Sequence, residues 1–128
     1  MLPGDPTKVL RPLVPVKYKY QGKETKPILT LIDSGADYSF ATLKIALYLG
    51  IKFKGIKPVS ITGFNQATTG CFPKEVGVEV AGREIQMPVY FGGSLTQEYP
   101  SILGQDIFFD KARITFERYN WSFGIYWQ

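Results

Sequence analysis

Leu31-Ile32-Asp33-Ser34-Gly35-Ala36-Asp37 is the stretch on which the reading of this chain turns. It completes the run Pro27-Ile28-Leu29-Thr30-Leu31-Ile32, whose apolar character over so short a span predicts a buried strand. Asp33 therefore stands where a strand ends, on a turn whose next two residues are small enough for another backbone to come close. That is a way to hold a carboxylate ready for chemistry. The chain has no histidine and one cysteine, which removes most other hydrolytic devices and any metal cluster built from Cys and His. An aspartate is the strongest catalytic candidate left.

Upstream of this stretch, Val14 to Tyr20 alternates as a strand does, and Gln21-Gly22-Lys23 offers a turn into the strand that delivers Asp33. Residues 1 to 13 carry three prolines and little periodicity, and are expected to form an extended arm ahead of a single domain at 14 to 128. Downstream, Ala41 to Leu49 changes to good helix formers, and Gly50 sits where a helix end favours positive φ. Pro58 to Thr62 returns to strand character. The uncharged segment Gly63 to Gly70 then leads to another strand around Glu75 to Val80, which predicts a hairpin arm with its tip near Gly63 and Phe64. Ala81-Gly82 makes a second tight turn into Arg83 to Phe91. Ser101-Ile102-Leu103-Gly104 is a short buried strand, and Gln105 to Asp110 a helical turn or two. The end of the chain reads as a hairpin in which Trp121, Phe123, Ile125 and Trp127 share one face by the strand period of two. So large an aromatic face must be covered by something.

Composition agrees with a folded, turn-rich, β-dominated domain: 45% of residues are hydrophobic and 15% aromatic, with 13 glycines and 9 prolines, far from the composition of disordered chains. The net charge of +4 comes with two small basic clusters, Lys17 and Lys19, and Lys52, Lys54 and Lys57. Alternation with apolar residues makes a solvated sheet face the plain reading of these lysines. A nucleic-acid-binding barrel rests on charge and aromatic content alone, and neither a nucleic acid nor a membrane is expected as a partner. Cys71 stands alone, which precludes an internal disulfide and fits a cytoplasmic or other reducing compartment. The first residues lack the basic and apolar regions of a signal peptide, and no run approaches the ~20 apolar residues of a membrane helix.

Taken together, Leu31 to Asp37 and the later Ser101-Ile102-Leu103-Gly104-Gln105-Asp106 give the chain a resemblance to the retropepsin-like aspartic proteases, over roughly residues 14 to 118. The order of elements between the two motifs agrees with it. The resemblance implies an all-β, mainly antiparallel, closed barrel or sandwich, with one short helix after the active-site loop, a short C-terminal helix, and assembly as a C2 homodimer. It implies an endopeptidase without cofactor or metal, acting on an extended peptide or polyprotein. Asp33 would be the catalytic residue of each subunit. Ser34 would tie the two active-site loops together by hydroxyl hydrogen bonds, Gly35 would accept substrate backbone, Ala36 would keep space, and Asp37 would help bind the substrate main chain. Gly63 and Phe64 would lie near the tip of a flap, and Ile61, Leu31 and Ile102 would be apolar walls of the side-chain pockets.

The chemistry asks for two acids in opposite protonation states, one to take a proton from water and one to protonate the carbonyl oxygen. Two carboxyls about 3 Å apart share one proton, an arrangement for which aspartic proteases are themselves the reference case. This chain has a single Asp-Ser-Gly, so it holds half of such a site and a homodimer would complete it. Viral members often carry arginine after the glycine of the second motif, where Gln105 stands here; an amide cannot form the bidentate ion pair of a guanidinium with Asp37. Plainer readings stay open: Asp33 as a turn aspartate capping its own loop, Asp37 as a solvated loop acid, Gly63 and Gly70 as ordinary hairpin residues, and the whole chain as an inactive relative that dimerises or binds peptide without turnover.

Overall fold

Val76, Val78 and Val80 alternate along one strand with Gly77 and Glu79, and Ile85, Met87, Val89 and Phe91 alternate along the next. The turn joining them, Ala81-Gly82, has φ of +49° and +79°, the backbone that a two-residue hairpin with the natural strand twist requires. Every one of those seven apolar side chains is buried, each worth roughly 1.5 to 3 kcal/mol of apolar burial. This long hairpin is the spine of the domain.

The computed structural model describes residues 12–62, 68–92, 99–117 and 122–128. In chain order the elements are β1 (Leu13–Tyr20), β2 (Lys23–Glu24), β3 (Ile28–Ile32), β4 (Phe40–Ala41), α1 (Leu43–Tyr48), β5 (Val59–Thr62), β6 (Thr68–Val80), β7 (Arg83–Gly92), β8 (Ser101–Leu103), a kinked helical segment Gln105–Phe109, β9 (Ala112–Glu117) and β10 (Ser122–Trp127). The expected arm at 1 to 13 lies outside the described residues up to residue 11, and Leu13 already belongs to β1.

The strand order β1-β3-β8-β4-β7-β6 closes on itself because β6 also pairs with β1, through Val16↔Val80 to Lys19↔Gly77. A six-stranded barrel results, with β2 extending the sheet beside β1 and β5 beside β6. Most pairings are antiparallel; β3 with β8 and β4 with β7 are the parallel ones. Val16, Tyr18, Ile32, Ala41, Leu103 and Phe108 join the β6–β7 residues in the interior. Tyr18 is fully buried, and that burial pushes its phenol up to about 12, against a smaller opposing effect of the Ser101 and Thr30 hydroxyls.

The helix is shorter than the sequence predicts. Ala41 leaves it to join Phe40 in β4, where Phe40 stands between Ile102 of β8 and Tyr90 of β7. Pairing on both edges outweighs a local helix preference of a few tenths of a kcal/mol per residue. Ile45 and Ala46 face inward, and Gly50 ends the helix at φ +76° as the sequence suggests.

Of the aromatic stripe at the end of the chain, Trp121 lies outside the described residues, and Phe123, Ile125 and Trp127 pack against the barrel core and are half-buried. The indole N–H of Trp127 donates to the Ala81 carbonyl at 3.0 Å, Phe108 meets the ring edge-on at 5.8 Å, and the Arg83 guanidinium lies over it at 5.4 Å. On the barrel's outer surface Lys19 is the hub of ion pairs to Glu24, Glu79 and Glu84. The hydrogen bond and charge of Lys19 hold the Glu79 carboxyl below its ordinary range. Lys19 is therefore a partner in a local network rather than part of a free basic stripe. Among the described residues no helix is long and apolar enough to cross a membrane, and no group of three or more His, Cys, Asp or Glu could hold a metal ion.

Candidate active site

Asp33 owes its position to the parallel pairing of β3 with β8. Leu31 is opposite Ile102 and Ile32 opposite Leu103. The Asp33 N–H donates to the Leu103 carbonyl at 2.9 Å, so the ladder runs one residue past the strand before the chain turns. The turn is an Asx-type loop: Oδ1 of Asp33 accepts the Gly35 N–H at 2.9 Å, and the Asp33 carbonyl accepts the Ala36 N–H at 3.1 Å. One carboxylate oxygen is thereby oriented by the backbone. Asp33 is half-buried, while Ser34, Gly35 and Asp37 are exposed.

The second motif is stitched to this loop residue by residue. The Gln105 N–H donates to the Ala36 carbonyl at 2.8 Å and the Asp106 N–H to the Asp37 carbonyl at 2.9 Å. The Gly104 N–H donates to the Ser39 hydroxyl at 3.0 Å. Gly104 itself lies so close to the loop that a Cβ there would fall 2.2 Å from the Tyr38 carbonyl oxygen and 2.6 Å from that of Ala36. Its φ of −105° is open to any residue; space, not conformation, demands glycine. Beneath the loop the hydroxyls of Thr30 and Ser101, three residues ahead of Asp33 and Gly104, bond to each other in the interior.

Gln105 takes a different partner from the one its motif position suggests. Its side-chain amide donates to the Ser34 carbonyl, not to the Asp37 carboxylate. After it the chain turns abruptly: Asp106 has φ −60° and ψ 122°, Ile107 φ 68° and ψ −53°. Positive φ in a β-branched residue costs of order 1 to 3 kcal/mol. It lets the chain leave the loop and send Phe108 into the core within four residues of Gly104. Among the described residues every ion pair involves Lys19, and Asp33 has no cation bound to its carboxylate.

Of the residues singled out by the sequence, Asp33, Ser34, Gly35, Ala36 and Asp37 lie on this one loop, and Leu31 and Ile102 are register partners immediately beside it, 7% and 0% exposed. Ile61 is in β5, opposite Thr69. Its side chain, with Gly63 and Phe64, is outside the described residues. Ser39 is a residue that the sequence reading missed. Nothing local marks it, because the N–H it accepts belongs to a residue 65 positions away.

No family model matches the chain, and no curated protein matches it by sequence. Among solved structures it is similar to the protease of EIAV, determined in complex with the inhibitor HBY-793: the TM-score is 0.61 at 25% identity, covering 79% of this chain and 88% of that one. The fold is retropepsin-like.

Proposed function

We propose that this chain is an aspartic endopeptidase which hydrolyses peptide bonds as a homodimer, the water being activated between two Asp33 carboxyls, one from each subunit. The observation that carries the reading is the geometry of Asp33: a carboxylate at the end of a strand, one oxygen held by the Gly35 N–H, and its loop tied to the second motif through Leu103, Gln105 and Asp106. The likeness to a retroviral protease supports the same reading from the fold.

The proposed chemistry uses one proton between the two acids. The ionised Asp33 takes a proton from water as the oxygen attacks the scissile carbonyl carbon, and the protonated Asp33 gives its proton to the carbonyl oxygen. A neutral tetrahedral diol forms. The acid that received the water proton then passes a proton to the amide nitrogen, while the other recovers one from a diol hydroxyl; the C–N bond breaks and an acid and an amine leave. Ser34 would link the two loops at the dimer axis, Gly35 and Asp37 would hold the substrate main chain, and Ala36 would leave room for it. Gly63 and Phe64 would close over the extended peptide as an added strand does. Ile61 would present an apolar wall, with Leu31 and Ile102, almost without exposed surface, closing the apolar floor beside Asp33.

The test is cleavage of an unstructured protein by the purified chain in acid and in mildly alkaline buffer. Cleavage at acid pH that disappears once the shared proton is lost is the expected result. Dimers that bind the protein at acid pH and never cut it would instead assign the chain to the inactive, peptide-binding relatives and end the endopeptidase reading.

A further inference from the structure

The outward side of α1 is as apolar as its inward side. Ile45, Ala46 and Leu49 are buried, and the arc that remains carries Leu43, Lys44, Leu47 and Tyr48. Leu43 is 42%, Tyr48 59% and Leu47 71% exposed, the last being the most exposed large apolar side chain among the described residues. A surface helix ordinarily turns a polar face to water, and apolar residues all round mark a helix with a second apolar neighbour. Lysines surround these side chains. The segment after the helix is pinned by the Ile51 N–H, which donates to the Ala46 carbonyl, and by Phe53, whose ring stacks on Phe72 at 4.9 Å and meets Phe91 at 6.0 Å. A turn over Lys54 and Gly55, closed by the Ile56 N–H on the Phe53 carbonyl, leaves Lys52, Lys54 and Lys57 exposed. Helix and loop are neighbours at the end of β7, since Leu43 lies beside Gly92 as Phe53 does beside Phe91. The sheet-face reading of Lys52, Lys54 and Lys57 fails, because residues 51 to 58 belong to no strand. Among the described residues neither they nor Lys44 enter an ion pair, and no acidic residue occurs between Asp37 and Glu75.

We propose that α1 and the loop after it form a docking surface for an anionic lipid bilayer, with Leu43, Leu47 and Tyr48 entering the headgroup layer while Lys44, Lys52, Lys54 and Lys57 meet its negative charge. Charge complementarity selects an anionic partner: four unpaired cations stand together with no acid among them. The leucines select which anion. Nucleic acid is held by basic groups and aromatic stacking, which leaves Leu43 and Leu47 without a partner, and interfaces between proteins are depleted in lysine. Segments that lie on membranes combine lysine with leucine and aromatic side chains, as this surface does. Such a surface rests on a bilayer instead of crossing it, so the want of a long apolar helix among the described residues does not bear on it. It is also independent of whether the chain cuts peptides.

Sedimentation of the full chain with vesicles tests the surface, using phosphatidylcholine alone and an equal mixture of phosphatidylcholine and phosphatidylserine. The expected result is binding to the mixed vesicles that weakens as salt is added and is lost with phosphatidylcholine alone. Lys52→Gln and Lys54→Gln should each weaken it roughly fivefold, the equivalent of ~1 kcal/mol per charge at an anionic surface. Leu47→Ser should weaken it roughly tenfold, at the low end for removing a leucine from water. All three positions are exposed, so the fold is expected to survive, and Lys111→Gln, an exposed lysine outside the patch, should change nothing. Equal binding to both vesicles, the same loss in Lys111→Gln, or indifference to Leu47→Ser would overturn the proposal. So would failure to bind the mixed vesicles; self-association abolished by Leu47→Ser would then give the surface to a second copy of the chain, and binding of an acidic polypeptide or RNA with the same variant pattern would give it to that partner.

Discussion

Asp33→Asn should lower kcat/KM for peptide cleavage by at least about a thousandfold, because a dimer of the variant loses both the base and the acid, and groups of this kind each contribute about a hundred- to ten-thousandfold. The fold should survive. An asparagine oxygen can still accept the Gly35 N–H that Oδ1 accepts now, and among the described residues no ion pair is broken. Thermal unfolding should therefore move by less than the equivalent of about 1 kcal/mol, the worth of one altered hydrogen bond. Steady-state kinetics and a melting curve on the same preparation check both halves. A variant that melts normally and still cuts would place the chemistry elsewhere.

Gly104→Ala should have the largest structural effect of any glycine-to-alanine change among the described residues. The new Cβ would meet two backbone carbonyls, those of Tyr38 and Ala36, and neither can swing aside as a side chain does. Relieving the contact means parting the Asp33 loop from the second motif and losing the bonds from Gln105, Asp106 and Gly104 that join them. A loss of about 3 to 5 kcal/mol in urea unfolding is expected, at the upper end for overpacking, with activity lost in whatever remains folded. Gly22→Ala is the contrasting case: its φ is +83° but nothing lies within 4 Å of the added atom, so only the backbone penalty of about 1 kcal/mol applies. Equal effects of the two substitutions would contradict the steric account of Gly104.

Much of this architecture can be read from local pattern, and the parts that cannot share a cause. The apolar run into Asp33, the alternation on either side of Ala81-Gly82, the helix ending at Gly50 and the final hairpin each carry a period or a turn residue within a short window. β4 carries neither. Ala41 opens a helix-forming stretch, and it joins Phe40 in a strand only because β7 and β8 leave a gap between them. The Ser39 hydroxyl, the Gln105 side-chain bond to Ser34 and the Thr30–Ser101 pair likewise join residues 65 to 71 positions apart, and no spacing rule reaches so far. Gln105 is the instructive case. Its motif position points toward the acid at Asp37, but the amide lacks the charge and bidentate fork with which a guanidinium would be held there, and it bonds the Ser34 carbonyl instead. Ile107 was unreadable for the opposite reason, since a β-branched residue is among the last that sequence would place at positive φ.

The ring contact of Phe40 with Tyr90 has the same origin: the two are far apart along the chain, and the parallel register of β4 with β7 makes them neighbours. Trp127 shows the complementary lesson: its stripe was legible, and what covers it was not, until the Ala81 turn and Phe108 met it.

In the proposed mechanism two Asp33 carboxyls act as one unit across a pair of chains, and subunit mixing tests this most directly. Wild-type and Asp33→Asn chains are exchanged at fixed total concentration and the cleavage rate is followed as the wild-type fraction falls. If both carboxyls of a dimer are required, activity follows the square of that fraction, so an equal mixture keeps about a quarter of the full rate. A rate that falls in simple proportion, with half remaining in the equal mixture, would mean that each chain works alone, and would contradict the shared site.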